Sequence, residues 1–431
     1  MKSDQKNKKR FFLIVGVFLF FTIISLAGLI LIRTNESAAW RFDNLVAKIK
    51  YAIAPPEKIV FIPQAQVAAI VSATLKALTP SATSTPPLTT TITPTPGATA
   101  TSTIIPTAIP NRRLLKGIEH EYQQWNNCGP ANLAMILSYW DWVGDQRNTA
   151  AYLKPNPRDK NVMPYEMQAY VEENTELSVI IRTGGNIELL ESIIAAGFPV
   201  LVERGYEGTN FEGWMGHYEV ISGYDVAQQK VYAQDSYSGP DLPIPYTQFE
   251  SAWRAFNYVY LIIFPSNRVS EIMNLLGPQA DSTYNLEYTA QVASVETVSL
   301  SGRDQFFAWY NRGTSLVNLG DYTGAALAYD EAYKIYPTLE EGDRPWRLIW
   351  YQTGPYFAYY YTGRYYDVLT LSTSTLSAMS EPILEESYVW RARARAALGD
   401  TTGAIEDLNL ALKYHPDFPP ALEELSRLAG Q

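Results

Sequence analysis

The sequence is poor in the residues that build disulfides and metal centres: it has one cysteine and three histidines in 431 positions. One thiol cannot close an intramolecular disulfide, and it cannot supply a cysteine-based zinc site or an iron–sulfur cluster. A basic surplus is missing too. With 34 Lys and Arg against 44 Asp and Glu, the formal net charge is -10, which argues against the basic face that a nucleic-acid binder needs. No nucleic-acid partner is expected. What is present is 47% hydrophobic residues, enough to build real cores, in a length that fits two or three domains.

Residues 1–10 form a basic tail, with Lys2, Lys6, Lys8, Lys9 and Arg10 against Asp4. Residues 11–32, FFLIVGVFLFFTIISLAGLILI, carry no charge. As a helix they would span about 33 Å, enough for the hydrocarbon core and more than the apolar part of a cleavable signal usually needs. The expectation is one transmembrane helix with a cytoplasmic N-terminus and everything after Ile32 outside, at the cell membrane. The alternative is a long signal cut near Ser37, Ala38 and Ala39. Residues 33–78 read as a juxtamembrane segment of short amphipathic stretches broken at Pro55 and Pro56. Between 79 and 110, 22 of 32 residues are Ser, Thr or Pro, with no charged or aromatic side chain. This is a linker, reaching up to about 100 Å at roughly 3.1 Å per residue.

The first compact domain is expected over 111–268. Near its start, HEYQQWNNCGPANLAMILSYWDW (120–142) places Cys128 before Gly129 and Pro130 and a helical apolar run. Backbone N–H groups and the dipole at a helix N-terminus favour a thiolate. The ordinary alternative is a free cysteine buried as a small apolar side chain. A base is needed next. His415 falls in a C-terminal helical repeat and His120 lies close to the thiol in sequence, which leaves His217 as the distal partner. GHYEVISGYDVAQQKVYAQDSY reads as strand 217–224, a turn near 225–229 and strand 230–235, a hairpin that sets Asp235 opposite His217 to within a slip of one or two residues. A carboxylate there fixes the imidazole tautomer and leaves the other ring nitrogen for the cysteine. The competing readings are a strand-end histidine held by backbone and a turn-capping aspartate. Gln123, Gln124, Asn126 and Asn127 are near enough to supply an oxyanion donor.

These residues, a Gln before CGPA and a hydrophobic helix, then GHYEVISGYD and VYAQDSYSG, resemble a papain-like cysteine peptidase of the C39-like family. The resemblance implies a Gln oxyanion donor, a Cys nucleophile, a His base and an Asp or Asn orienter. Cys128, His217 and Asp235 match the last three. Tyr122 stands where the family usually places its Gln, so Gln123 is the first choice here and Gln124 the second. The fold expected is α+β, with Asn186 capping a helix over IELLESIIAAG and FPVLVE, HYEVISGY, KVYAQD and YVYLIIF as antiparallel strands. GYEGTNFEGWMG (205–216) reads as a glycine-rich loop that either lines a peptide cleft or packs onto the sheet.

After a connecting segment at 269–300 the periodicity changes. AWYNRGTSLVNLGDYTGAALAYDEAYKIYP puts Trp309, Gly313, Leu319, Gly320, Tyr322 and Ala325 at tetratricopeptide-repeat positions. Tyr388, Ala392, Leu398, Gly399 and Ala404 repeat the offsets of Trp309, Gly313, Leu319, Gly320 and Ala325, and Leu408 that of Tyr329, with a looser copy around Gly363 and Tyr365. Residues 301–431 are therefore expected to form an all-α repeat domain with a groove for a protein partner. The tyrosines between 351 and 366 either line that groove or fill an aromatic core.

Together these features read as a membrane-anchored extracytoplasmic cysteine peptidase acting on a peptide or protein substrate, with repeats for docking. Such chemistry needs neither cofactor nor metal. Two other readings use the same residues: a non-catalytic peptide-binding scaffold on a peptidase fold, and a thiol amidase or acyltransferase acting on cell-envelope amides.

Overall fold

The computed structural model describes residue 49, residues 60–64, and residues 109–430 apart from 157, 160, 209–212 and 380. The expected membrane helix at 11–32, most of the juxtamembrane segment and nearly all of the linker lie outside the described residues. Among the described residues, no helix is long and apolar enough to cross a membrane.

The first part of the chain is a mixed α/β domain. Its elements are β1 (Arg112–Leu114), α1 (Cys128–Ser138), α2 (Gln146–Leu153), α3 (Pro164–Asn174), β2 (Leu177–Arg182), α4 (Ile187–Ala195), β3 (Val200–Gly208), β4 (Gly213–Asp225), β5 (Lys230–Asp235), β6 (Gly239–Pro245), α5 (Tyr246–Arg254) and β7 (Tyr260–Pro265). The strands form one antiparallel sheet in the order β2-β7-β3-β4-β5-β6. β1 pairs with residues 223–225 of β4, beyond the stretch of β4 that pairs with β3.

Alternation along the central strands buries both faces. Leu201, Val220, Leu261 and Ile263 pack with Leu133 and Ile136 of α1. Val200, Val202, Ile221 and Ile262 face the other way, against Ile193 of α4 and Phe249 and Trp253 of α5. The Asn186 side chain accepts from the Leu189 N–H at 2.9 Å, the cap that starts α4.

Two features differ from the sequence reading. Most of 205–216 is not loop: β3 and β4 pair continuously from Val200↔Ile221 to Gly208↔Gly213. The glycines mask strand propensity there, while Tyr206 and Trp214 supply it. The connecting stretch 269–300 carries α6 (Val269–Leu276) and the 18-residue α7 (Ser282–Ser299). Asp281 caps α7, accepting from the Tyr284 N–H at 2.8 Å, and Asn285 Nδ2 ties α7 to the Thr183 carbonyl at 2.8 Å.

The helical region follows: α8 (Gly302–Asn318), α9 (Tyr322–Ile335), α10 (Leu348–Tyr351), α11 (Gly354–Tyr361), α12 (Tyr365–Ser377), α13 (Glu385–Ala397), α14 (Thr401–Tyr414) and α15 (Pro419–Ala429). Small residues permit close helix approach, and Ala325, Ala332, Ala392, Ala404 and Ala411 are essentially inaccessible. Gly320 and Gly399 take φ of 80° and 89° at the tight turns after α8 and α13, where an L side chain would be strained. The following Asp321 and Asp400 then cap α9 and α14. The tyrosines between 351 and 366 divide: Tyr356 and Tyr359 are core, whereas Tyr361 and Tyr366 are exposed. Phe61 inserts edge-on against Tyr333, and the Gln64 N–H donates to Asp367, so residues 60–64 dock on this region.

Helical region and sheet meet closely. Arg347 donates to the Trp214 carbonyl at 2.9 Å, Asn257 to Ser315 Oγ at 3.0 Å, and Asn311 to the Arg254 carbonyl at 2.7 Å. Trp214 stacks on Phe256 and also contacts Phe307 of α8.

Candidate active site

Cys128 is the first residue of α1, half-buried, and the first N–H groups of a helix have no intrahelical partner. The loop leading into it is clamped by side chains rather than by regular structure. Gln146 is buried; its Oε1 accepts from the Gln124 N–H at 2.7 Å and its Nε2 donates to the Tyr122 carbonyl at 2.8 Å. Lys154, also buried, donates to the Asn126 carbonyl at 2.9 Å and to Asn127 Oδ1 at 3.2 Å. Asn126 adopts a φ of 52° in the turn before the helix, a conformation Asn tolerates.

β4 brings His217 to this helix end, and β5 brings Asp235. His217 Nε2 donates to Asp235 Oδ1 at 2.9 Å, with both side chains buried. The pair is not directly opposite: the register is slipped by two residues, within the one or two that the sequence reading leaves open. β4 and β5 pair Val220↔Gln234 and Ile221↔Ala233, and the register shifts at a bulge between Ile221 and Gly223. Extending that register sets Asp235 level with Glu219, and His217 is its same-face diagonal neighbour. A slip by two residues preserves the face, which is why the contact survives.

Asp235 Oδ1 also accepts from the Tyr237 and Ser238 N–H groups at 2.7 and 3.2 Å. His120 is not at the thiol: its Nε2 donates to the Asp235 carbonyl at 3.0 Å. His415 is remote in the repeats, paired with Glu385.

The charges reinforce one another. Burial alone would raise the Cys128 thiol; a hydrogen bond and the charge of His217, the Tyr218 backbone and Lys154 outweigh it and bring the thiol below its ordinary value. Burial alone would lower His217, but Asp235 and Cys128 lift it from 6.5 to about 10. The Asp235 carboxyl resists its own burial through His217 and the two backbone N–H groups and stays well below the usual carboxylate range. The shifts of thiol, imidazole and carboxyl all run in the direction that favours a thiolate beside an imidazolium held by a carboxylate.

Gln123 joins through a chain of polar contacts. Its N–H donates to the Ser236 carbonyl, and its Oε1 accepts from Ser236 Oγ, both at 2.8 Å. Ser236 Oγ accepts in turn from Asn132 Nδ2 at 2.9 Å, and that same amide donates to the carbonyls of Cys128 and Tyr218. With Oε1 occupied, the amide nitrogen is the group Gln123 has left to offer. Among the described residues, Gln124 enters the network through its backbone N–H.

Residues 116–261 match the Peptidase_C39 like family. Residues 306–339 and 386–417 match tetratricopeptide repeats. Among solved structures, the chain is similar to a protein from Bacillus anthracis described as a C39-like peptidase, at 20% identity and a TM-score of 0.29, covering 35% of this chain and 96% of that one. A double glycine motif protease from an AMS/PCAT transporter, solved with its leader peptide, gives 21% identity and a TM-score of 0.26 over 36% of this chain and 99% of that one. Comparison with curated proteins gave no match.

The domain that matches the C39-like family model also places near the thiol residues that the sequence reading did not assign to the site. Ser236 and Asn132 join the candidate oxyanion donor to the helix; Asn132 stands four positions after Cys128, a spacing that returns a helical side chain to the same face. Lys154 and Gln146 are separated from the loop they hold by α1, and no local pattern marks them. His217, Glu219 and Asp235 also have spacing that could suit a metal ion. Arg204 already pairs with Glu219, and its charge also acts on Asp235, so a guanidinium already serves part of this carboxylate cluster.

Proposed function

We propose that the chain is a cysteine peptidase that hydrolyses peptide bonds with Cys128, His217 and Asp235, and that the helical repeats dock its protein substrates or partners. The observation that carries this reading is the buried His217–Asp235 hydrogen bond beside a thiol at a helix N-terminus. A thiol at a helix start facing an imidazole on an antiparallel sheet also supports a papain-like arrangement.

The chemistry follows from the charges. The Cys128 thiolate attacks the peptide carbonyl, and the resulting oxyanion takes hydrogen bonds from the Cys128 N–H and the Gln123 amide. His217, held protonated by Asp235, gives its proton to the leaving amine as the C–N bond breaks. The neutral imidazole then takes a proton from water, whose oxygen attacks the thioester. The acid leaves, and thiolate and imidazolium are restored. Nothing in the cycle requires a cofactor.

The location belongs to the same proposal: residues 11–32 anchor the chain, the basic tail stays in the cytoplasm, and the catalytic and repeat regions lie outside. External protease added to intact cells should remove the C-terminal regions; a protected tail would overturn the topology. For the chemistry, an electrophilic thiol probe should label Cys128 at neutral pH faster than a free model thiol, and His217→Ala should abolish the advantage. Labelling indifferent to His217 would refute the activated nucleophile.

A further inference from the structure

A groove of about 860 Å³ runs between the sheet of the C39-like domain and the helical repeats. Phe256 and Val259 line it from the sheet side, and Tyr351, Phe357 and Trp390 from the helices. Glu203 and Tyr351, both in the lining, are within electrostatic reach of the Cys128 sulfur. The exposed rings of Tyr165 and Tyr361, also in the lining, open the groove to solvent. The groove is therefore largely apolar, and two of its walls adjoin the thiol.

Its charges are one-sided. Glu203, Glu386 and Glu423 line it against Arg393, and Arg393 is already held by Glu424 at 2.7 Å. Glu203 is 4% exposed on β3, across from Tyr218. Among the described residues, the groups acting on it are the Tyr218 hydroxyl and the Cys128 sulfur, with no basic side chain among them. A buried carboxyl without a cation is costly, and burial pushes its protonation well above the ordinary carboxylate range.

We propose that this groove receives an extended peptide substrate and that Glu203 selects a lysine or arginine side chain near the scissile bond. The aliphatic stem of such a side chain suits the walls formed by Phe256, Val259 and Tyr351, and its head supplies the cation that Glu203 lacks. The proposal rests on the peptidase reading, since it takes the thiol beside Glu203 and Tyr351 as the point of cleavage.

The test uses the full chain in detergent as Cys128→Ala, so that binding is read without turnover. Fluorescent positional peptide libraries on one apolar framework carry lysine, norleucine or glutamate at each position in turn. At one position lysine should bind at least tenfold tighter than norleucine, and glutamate weaker than both. Glu203→Gln, near-isosteric at a buried and readily protonated site, should erase the lysine preference while melting close to the parent. Glu203→Asp should restore part of it. Equal binding of the three series, no binding, or a preference unchanged by Glu203→Gln would overturn the assignment. Cleavage by the Cys128-bearing chain is measured in parallel. Selective binding without cleavage would sink the peptidase reading alone; cleavage without a lysine or arginine preference would sink the role of Glu203 alone.

Discussion

Replacing Asp235 by Asn removes one charge from the site and little volume. In the native arrangement His217 rises from 6.5 to about 10 against the opposing effect of its burial, and Asp235 is the leading upward influence. Without that charge, burial is opposed only by the thiol, and the imidazole loses its proton within the neutral range. The thiol then loses its counter-charge and moves up toward or past the ordinary value of about 8.5. Below the thiol pKa, each unit of upward shift lowers the thiolate fraction about tenfold, equivalent to about 1.4 kcal/mol. Asp235→Asn should therefore slow iodoacetamide alkylation of Cys128 at pH 6.5 by at least about tenfold, with the two proteins converging above pH 9. The rates are read by mass spectrometry of the Cys128 peptide between pH 5 and 10, with melting curves to confirm folding. Superimposable profiles would show that Asp235 does not set the charge of the pair.

Gln123→Ala should leave alkylation of Cys128 nearly unchanged, because alkylation forms no oxyanion, yet lower kcat for a peptide by about 10²-fold to 10³-fold. Gln124→Ala should lower it only a few-fold, and the reverse ranking would reassign the donor. The raised His217 stabilises the folded state fully below its unfolded pKa near 6.5 and loses that contribution as pH rises through about 10. The lowered Cys128 gives the opposite slope below its unfolded pKa near 8.5, so the fall that denaturant titrations should show lies between about pH 8.5 and 10, and His217→Ala should remove it. In the repeats, a Cβ at Gly313 would lie 2.7 Å from the Tyr329 ring, so Gly313→Ala should cost about 1–3 kcal/mol despite alanine's better helix propensity. A melting temperature equal to or above the parent's would contradict that packing.

The parts legible in the sequence are those with a local signature. Cys128 before Gly129 and Pro130 marks a helix start, Asn186 a cap, and the glycine and alanine offsets of α8, α9, α13 and α14 a repeat. The hairpin could be read as a hairpin, but not its register, because a bulge beside Ser222 changes the pairing without any proline or paired glycine to announce it. The stretch 205–216 misled for a related reason. Its glycines suggest a loop, whereas pairing across the sheet and the burial of Trp214 against Phe256 hold it as strand. Least legible were contacts between distant segments. Lys154 on the carbonyl of Asn126 and Gln146 on the loop around Tyr122 are tertiary choices that no periodicity encodes. Tyr351, within reach of Cys128, arrives from the helical region, so the surroundings of the thiol are completed from outside the C39-like domain.

Digestion of a peptide library in ¹⁸O-labelled water tests the central claim most directly. The full chain should generate new C-termini carrying ¹⁸O, as hydrolysis of a thioester requires, and Cys128→Ala and His217→Ala should generate none above background. Intact peptides alongside a rapidly labelled Cys128 would contradict the peptidase account and leave an activated thiol that acts on some other acyl group. Cleavage that survives Cys128→Ala would contradict it outright.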